Sequence, residues 1–176
     1  TYNDARRFGY MTLVPTAELT AHPFFRNLGI EPLGPDLTTA FLTERAKGRK
    51  ADLKSFLMDQ KIISGLGNIY VCEALYRAGL SPERPASVLA SRSTAARQRS
   101  DLLVTAIRQV LYEAIASGGS TLRDYRHTDG SLGYFQHSFA VYGREGEPCR
   151  RDGCNGTIKR IVQTGRSTFH CPRCQK

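Results

Sequence analysis

Four cysteines near the end of the chain have the spacing of a metal site. Cys149, Cys154, Cys171 and Cys174 form two close pairs in the pattern C-x4-C-x16-C-x2-C. Zn²⁺ binds four thiolates in a tetrahedron, and two tight turns can supply these thiolates without a large core. Two disulfides are the alternative, but they are typical of secreted proteins, and the chain has no signal-peptide pattern. We therefore expect one zinc ion per chain.

The segment between the two cysteine pairs predicts a β-hairpin. "TIKRIVQ" alternates as a strand, Thr164 and Gly165 form a turn, and "RSTFHC" returns as the second strand. Arg166 should then lie at or next to the tip of the hairpin. The fifth cysteine, Cys72, falls on the apolar face of a predicted helix, and we expect it to be a core residue.

A glycine-rich turn precedes that helix and indicates a possible anion site. Gly65 and Gly67 allow a ligand to approach the backbone in front of Asn68. The start of the helix offers unpaired N–H groups and a partial positive charge, which suit a phosphate. The alternative is an ordinary glycine-rich connection in which Asn68 only caps the helix.

The charge balance favours a polyanionic partner. The chain has 25 Lys+Arg against 16 Asp+Glu, a formal charge of +9 and a pI of about 9.6. Nucleic acid or an anionic membrane surface would fit this charge. A hydrophobic content of 40% excludes gross disorder, and no apolar run approaches the ~18 residues of a membrane span. We expect a soluble cytoplasmic protein with no membrane partner.

Four segments precede the cysteine-rich end. Residues 1–14 look like two strands around "NDARRF", and residues 15–37 form a turn-rich boundary that contains Pro15, Pro23, Pro32 and Pro35. Residues 38–117 predict helices in "TTAFLTERAKG", "ADLKSFLMDQ", the segment after Asn68, and "STAARQRSDLLVTAIRQVLYEAIASGG". We expect these helices to bundle around a common core, with the apolar positions of the last helix at Leu102, Leu103, Ala106, Ile107, Val110, Leu111 and Ile115. Residues 118–140 have no clear periodicity, which is typical of a functional or disordered loop.

Three stretches carry a resemblance to one protein family. "ADLKSFLMDQKIISGLGNIYVCEALYRAGLSP" resembles the helix-two-turns-helix element of the formamidopyrimidine-DNA glycosylase and endonuclease VIII family. "VYGREGEPC" with "GRSTFHCPRCQ" resembles its C-terminal zinc finger, and "NDARRFG" resembles the last hairpin of its N-terminal β-sandwich domain. The resemblance covers essentially the whole chain. "GYFQHSFAVYGREGEPC" is closer to the formamidopyrimidine branch.

The resemblance implies a mainly α fold with four parts. Residues 1–14 would be the end of the β-sandwich domain, and residues 15–37 an interdomain linker. Residues 38–140 would form the helix-two-turns-helix DNA-binding domain, with a lesion-recognition loop at about 118–138. Residues 141–176 would form the zinc-finger hairpin.

The resemblance also implies DNA contacts. Asn68 would bind a phosphate beside the flipped nucleotide, and Arg166 a neighbouring phosphate, so that the two pinch the distorted backbone. Gly67, Lys54 and Tyr70 are further DNA-binding residues by this resemblance. An ordinary solvated arginine is the alternative reading of Arg166.

The N-terminal hairpin and the long loop would act on the lesion itself. By the resemblance, Arg6 faces the unpaired cytosine, Arg7 binds phosphate and Phe8 enters the base stack. A guanidinium can satisfy an orphaned base edge, and an aromatic wedge replaces lost stacking. Two exposed arginines and a core phenylalanine are the simpler reading. The loop "RDYRHTDGSLGYFQ" would close over an oxidised purine.

The implied activity is base-excision repair of damaged double-stranded DNA. The family removes oxidised purines, namely 8-oxoguanine and formamidopyrimidines, and cleaves the abasic site through a Schiff base on an N-terminal proline that is followed by a glutamate. This chain begins with Thr1, Tyr2 and Asn3, so no catalytic residue is expected in it. We therefore expect an inactive C-terminal fragment of a monomeric bacterial enzyme.

Three other functions remain open from the sequence. One is an endonuclease VIII-type glycosylase for oxidised pyrimidines. The second is a non-catalytic zinc-containing DNA-binding module, and the third is a zinc-ribbon RNA binder. The presence of Met-Pro-Glu and a β-rich domain upstream in the reading frame would favour the enzyme over the modules.

Overall fold

The computed structural model describes residue 4 and residues 8–91, 93–120 and 132–176. Four α-helices lie in this part of the chain: α1 (Thr39–Ala46), α2 (Leu53–Met58), α3 (Asn68–Arg77) and α4 (Thr94–Ala116). Two antiparallel strands follow, β1 (Lys159–Gln163) and β2 (Arg166–His170). Short 3-10 helices cover Thr16–Ala21, Ala86–Leu89 and Phe135–Ser138. The predicted mainly α fold with a C-terminal hairpin is confirmed.

Side-chain caps fix the start of three helices. Thr38 accepts a hydrogen bond from the Phe41 amide at 3.1 Å, which caps α1. Asp52 and Ser93 accept equivalent bonds at the start of α2 and α4. Each cap satisfies one of the backbone donors that a helix start leaves unpaired.

Helices α3 and α4 pack together at the centre of the bundle. The core includes Leu75 from α3 and Leu103, Ile107 and Val110 from α4, all fully buried. Arg77 of α3 also donates two hydrogen bonds to Glu113 of α4, at 2.7 and 2.6 Å. The bundle therefore holds a contiguous apolar core of its own.

Two predicted core positions of α4 are wrong. Leu102 is 56% exposed and Ile115 is 64% exposed. Both lie about 110° around the helix from the centre of the buried face, which Leu103, Ile107 and Val110 form. The helix buries a narrower stripe than its apolar residues suggest.

Residues 8–14 form no strand, so the two-stranded interpretation of this end is wrong for the described residues. The physical reason is that an isolated two-stranded ribbon is at best marginally stable without further strands or packing. Phe8 is accordingly 88% exposed. Arg6 and Arg7 lie outside the described residues.

The boundary segment between Pro23 and Pro32 is held against the turn between α2 and α3. The Gly29 amide donates to the Gln60 carbonyl at 2.7 Å, and Ile30 pairs with Ile63 in a parallel bridge. A Cβ atom on Gly29 would lie 2.3 Å from the Ile62 backbone, so only glycine permits this approach. The connection therefore braces the glycine-rich turn.

The C-terminal hairpin is joined to the bundle through the last residues of the chain. Gln175 accepts from the Cys171 amide at 2.7 Å and donates to the Leu80 carbonyl at 2.8 Å. Thr164 and Gly165 both have positive φ angles, of 47° and 73°, which is the turn that a two-residue hairpin needs. The predicted hairpin and its turn are confirmed.

Most of the predicted lesion-recognition loop lies outside the described residues. Its two ends meet, since Ser120 and Tyr134 form an antiparallel bridge. No helix in the described part of the chain is long and apolar enough to cross a membrane.

Candidate nucleic-acid interface and metal centre

An open groove lies where the start of α3 meets the start of β2. The glycine-rich turn supplies one wall. The start of β2 and the segment before Cys149 supply the other. Its lining residues are Gly67, Asn68, Ile69, Tyr70, Tyr142, Arg166 and Ser167. The structure thus brings together Asn68 and Arg166, two residues that are 98 positions apart in the chain.

Asn68 is the first residue of α3, and Gly67 is its N-cap. The simple reading of Asn68 as the N-cap is therefore wrong. Its amide group points across the groove instead, donating to the Ser167 carbonyl at 3.0 Å and to the Tyr142 hydroxyl at 3.3 Å. Both amide protons are used, so Asn68 ties the helix start to the hairpin.

The bond from Asn68 determines what the Tyr142 hydroxyl can offer to a ligand. Because that hydroxyl accepts from Asn68, its own proton is free to donate into the groove. The first-turn N–H groups of α3 add donors and a partial positive charge on the same side. The groove therefore offers a convergent set of donors to an anion.

Arg166 is the exposed cation of the groove. It opens β2 next to the turn at Gly165, and its guanidinium makes no hydrogen bond or ion pair within the described residues. A guanidinium that is not engaged elsewhere can bind a phosphate through two parallel hydrogen bonds. The structure places Arg166 where the sequence predicted it.

Lys54 lies behind the groove rather than in it. The side chain is fully buried, and its Nζ donates to Thr168 Oγ1 at 2.6 Å and to the Ser167 carbonyl at 3.4 Å. Burial lowers the pKa of Lys54, and the nearby Arg166 charge lowers it further, against the opposing effects of Cys72 and Asp52. Lys54 therefore supports the strand that carries Arg166, and it presents no surface to a partner in this structure.

Glu73 positions Tyr142 from the other side of α3. Its fully buried carboxylate accepts three backbone N–H bonds, from Ala140 at 2.9 Å, Val141 at 3.0 Å and Tyr142 at 2.9 Å. Bonds from several amides to one carboxylate are strong, because the acceptor is charged. They fix the backbone at Tyr142, and so its ring, over the start of α3.

Sequence reasoning missed Glu73 and Tyr142. A single acidic residue among the apolar positions of α3 was the available signal for Glu73, since a buried carboxylate needs partners. Nothing local marked Tyr142, whose role depends on a contact with Asn68 across 74 positions.

The other predicted DNA contacts differ in their placement. Tyr70 lies in the groove, and its ring centroid is 6.0 Å from that of Phe135. Gly67 lies at the groove wall as the N-cap of α3. Phe8 is not brought to the groove lining, and Arg6 and Arg7 lie outside the described residues.

The four predicted ligand cysteines meet in one cluster. All four Sγ atoms lie within 4.8 Å of one another, with 3.8 Å between Cys149 and Cys174 and 3.7 Å between Cys154 and Cys171. Four sulfurs around a tetrahedral zinc, each bonded at about 2.3 Å, are about 3.8 Å apart. The geometry therefore fits Zn²⁺.

The surroundings of the cluster also fit a metal. A Cβ atom on Gly156 would lie 2.6 Å from Cys171 Sγ and 3.2 Å from Cys154 Sγ, so glycine keeps the site open. Burial and the neighbouring thiols raise the pKa of Cys174 to about 12. Burial also acts to raise the pKa of Cys149, but hydrogen bonds, with that of Tyr76 first, lower it to about 7. A central dication offsets the cost of ionising all four thiols.

Family models match both parts of the molecule. The model of the formamidopyrimidine-DNA glycosylase H2TH domain matches residues 28–126, more than half of the chain. The chain belongs to the formamidopyrimidine-DNA glycosylase family. A second model, the zinc finger found in FPG and IleRS, matches residues 146–176. The resemblance carried by the helix-two-turns-helix and zinc-finger motifs is confirmed.

Formamidopyrimidine-DNA glycosylases from several bacteria are similar over nearly the whole chain. The protein of Chelativorans sp. (strain BNC1) is 60% identical over 175 residues, which cover 99% of this chain and 59% of that protein. The protein of Rhodopseudomonas palustris (strain BisB18) is 58% identical over 175 residues, which cover 99% of this chain and 60% of that protein. The chain thus spans about three fifths of the length of these curated relatives.

Solved structures of the same family share the fold. The MutM (FPG) protein of Thermus thermophilus matches with a TM-score of 0.85 and 42% identity, over 98% of this chain and 62% of that one. The Lactococcus lactis Fpg in complex with an abasic site containing DNA matches with a TM-score of 0.79 and 32% identity, over 93% of this chain and 57% of that one.

Proposed function

We propose that this chain is the DNA-binding and lesion-recognition part of a glycosylase that removes oxidised purines, 8-oxoguanine and formamidopyrimidines, from duplex DNA. The whole enzyme would also cleave the abasic site, through a Schiff base formed by an N-terminal proline that this chain does not contain. The groove between Asn68, Tyr142 and Arg166 carries the proposal, because the start of α3, the Tyr142 hydroxyl and the Arg166 guanidinium all line it.

Each part of the groove has a separate role in binding a phosphate backbone. The backbone N–H groups at the start of α3 bind one phosphate, with the freed Tyr142 proton as a further donor. Arg166 binds a neighbouring phosphate from the hairpin side. Asn68 keeps these two walls at a fixed separation through its bond to Ser167. Together they would recognise a backbone whose phosphates have been drawn together.

Binding these two phosphates provides free energy for nucleotide flipping. Rotating a nucleotide out of the duplex costs a few kcal/mol, and contacts made only with the distorted backbone offset that cost. The net charge of +9 adds a long-range attraction to any DNA, damaged or not. Selectivity for damage therefore comes from the groove and not from the charge.

Zinc has a structural role in this proposal. Cys149, Cys154, Cys171 and Cys174 would hold one ion per chain, and a four-thiolate zinc site leaves no open position for substrate. The ion would cross-link the hairpin that presents Arg166. The protein would act as a monomer in the bacterial cytoplasm, bound to the nucleoid through DNA.

The lesion class is tested with the full-length protein. One structural relative, the Lactococcus lactis Fpg, is known in complexes with DNA containing Fapy-dG and with DNA containing an oxidised pyrimidine. Excision should be faster on duplexes with 8-oxoguanine or Fapy-dG than on duplexes with an oxidised pyrimidine. A preference for the pyrimidine lesion would instead support the endonuclease VIII-type alternative.

The location of the nucleophile is tested with the 176-residue chain and borohydride, which converts a Schiff base into a stable protein–DNA adduct. The chain should bind an abasic duplex with an affinity that falls steeply as salt rises, and it should form no adduct. The full-length protein is the positive control. An adduct formed by the shorter chain would overturn the assignment of the nucleophile to the N-terminal proline.

A further inference from the structure

Tyr76 makes a contact with the metal centre from outside the finger. It is the penultimate residue of α3, it is only 6% exposed, and its hydroxyl oxygen lies 3.4 Å from Cys149 Sγ. The hairpin and its flanking turns contribute all four ligands. Tyr76 therefore links the helical bundle to the metal site through Cys149. The groove does not use this residue.

The direction of this hydrogen bond follows from the chemistry of the ligand. A zinc-bound cysteine is a thiolate, which has no proton and can only accept. The Tyr76 hydroxyl must therefore donate to Cys149 when the metal is bound. The nearly complete burial of Tyr76 leaves water little access to take that proton instead.

Arg151 holds the tyrosine in the orientation that this bond requires. Its guanidinium lies 5.0 Å from the centroid of the Tyr76 ring and donates to the Tyr76 carbonyl. The same nitrogen lies 3.5 Å from the Arg77 carbonyl at the end of α3. Arg151 belongs to the turn between two ligands, and its own carbonyl accepts from the Cys154 amide at 2.9 Å. Arg151 thus connects the Tyr76 ring, the end of α3 and the turn between Cys149 and Cys154.

We propose that Tyr76 is a positioning residue for the metal, an outer-sphere donor that stabilises the Cys149 thiolate and slows zinc release. Hydrogen bonds to metal ligands orient them and adjust their electron density, and losing one typically lowers metal affinity by about 10- to 100-fold. This inference rests on the proposed zinc site. It adds that the helical bundle takes part in holding the ion.

Tyr76→Phe removes the hydroxyl and keeps the ring against Arg151. Zinc affinity, measured by competition with a chromophoric chelator, should fall by about 10- to 100-fold, and zinc release should become faster. Tyr112→Phe is the matched control, because Tyr112 lies on α4 and is 58% exposed. Its zinc affinity should equal that of the parent, and far-ultraviolet circular dichroism should be the same for all three proteins.

Cobalt substitution separates this hydrogen bond from a general packing effect. With Co²⁺ at full occupancy, Tyr76→Phe should move the sulfur-to-cobalt charge-transfer band to longer wavelength, because a thiolate without its donor holds its electrons less tightly. Placing 3-fluorotyrosine at position 76 keeps the ring packing and strengthens the donor, so the band should move the opposite way. That second measurement does not depend on how well the phenylalanine variant folds.

The outcomes distinguish this inference from the proposed function. A parent protein that binds no stoichiometric zinc would overturn the zinc site itself. A parent that binds zinc, with variants of unchanged affinity and superimposable cobalt spectra, would overturn only the role of Tyr76.

Discussion

The helical bundle and the zinc hairpin contribute one wall each to the same groove, but they are stabilised differently. The bundle buries a large contiguous cluster that joins α1, α2, α3 and α4. The smaller cluster beneath the hairpin consists of Cys72, Tyr76, Val141, Cys149, Ile158, Phe169 and Cys171, and two of these belong to the four-cysteine cluster. The bundle can be stable through apolar burial, whereas we expect the hairpin to need its ion.

The difference predicts that the two walls of the groove respond differently to loss of the metal. Asn68 belongs to the wall with the large apolar core, and Arg166 to the wall that we expect to need zinc. Polar bonds of Asn68, Lys54 and Glu73 join the two walls beside the groove. Removing the metal, breaking one of those bonds and removing the Arg166 charge should therefore have different effects on folding and on DNA binding.

Removing the metal should produce the largest effect. Metal analysis should find one zinc per chain, and a strong chelator should release the hairpin, since structural zinc contributes about 10 kcal/mol or more in small fingers. The bundle should remain folded on its apolar core. Amide NMR signals of α3 and α4 should persist, while those of β1 and β2 collapse to unfolded positions. Loss of both sets together would contradict the independence of the bundle.

Glu73→Gln should be the next largest disruption. The substitution replaces a carboxylate that accepts three N–H bonds with a neutral amide. Its one oxygen can accept from Val141 and Tyr142, but its NH2 group then faces the Ala140 amide, which is also a donor. We expect the free energy of unfolding of the zinc-bound protein to fall by about 3 kcal/mol in a denaturant titration. Glu44→Gln is the control with the same charge change on an exposed side chain, and it should cost less than about 0.5 kcal/mol. Equal effects for the two variants would contradict the role of Glu73.

Arg166→Ala should leave the fold intact and weaken DNA binding. Loss of a charge-assisted phosphate contact should lower affinity for an abasic duplex by about 1–3 kcal/mol at fixed salt. The slope of log affinity against log salt should also become shallower by about one unit. Arg97→Ala, at an exposed position of α4, controls for the change in net charge. Unchanged affinity would return Arg166 to the reading of a solvated surface residue.

Local sequence signals predicted much of the fold. The helical segments followed from apolar residues at helical spacing and from the glycines that end them, because periodicity and breakers act within a few residues. The side-chain caps Thr38, Asp52 and Ser93 were identified only in the structure. The four cysteines and the turn at Gly165 likewise identified the hairpin and its metal. These features need no knowledge of distant contacts.

The parts that sequence reasoning missed depend on long-range partners. Glu73 becomes a structural centre only when residues 140–142 pack against α3, and Lys54 is buried only because β2 covers it. The strand pattern at the N-terminal end has no sheet to join within the described residues. In each case the local sequence is compatible with both a buried and an exposed residue, or with both a strand and a loop. Tertiary packing determines which of these forms.

The central claim is that Arg166 and the start of α3 hold the phosphates beside a flipped nucleotide, and one coupling measurement tests it directly. Abasic duplexes would each carry one neutral methylphosphonate linkage, moved in turn through the phosphates around the lesion. Affinities of the parent and of Arg166→Ala, at fixed salt, give a double-mutant cycle for each phosphate. At one phosphate next to the lesion the two changes should be non-additive by about 1 kcal/mol or more, and at distant phosphates they should add. Additivity at every phosphate would contradict the account.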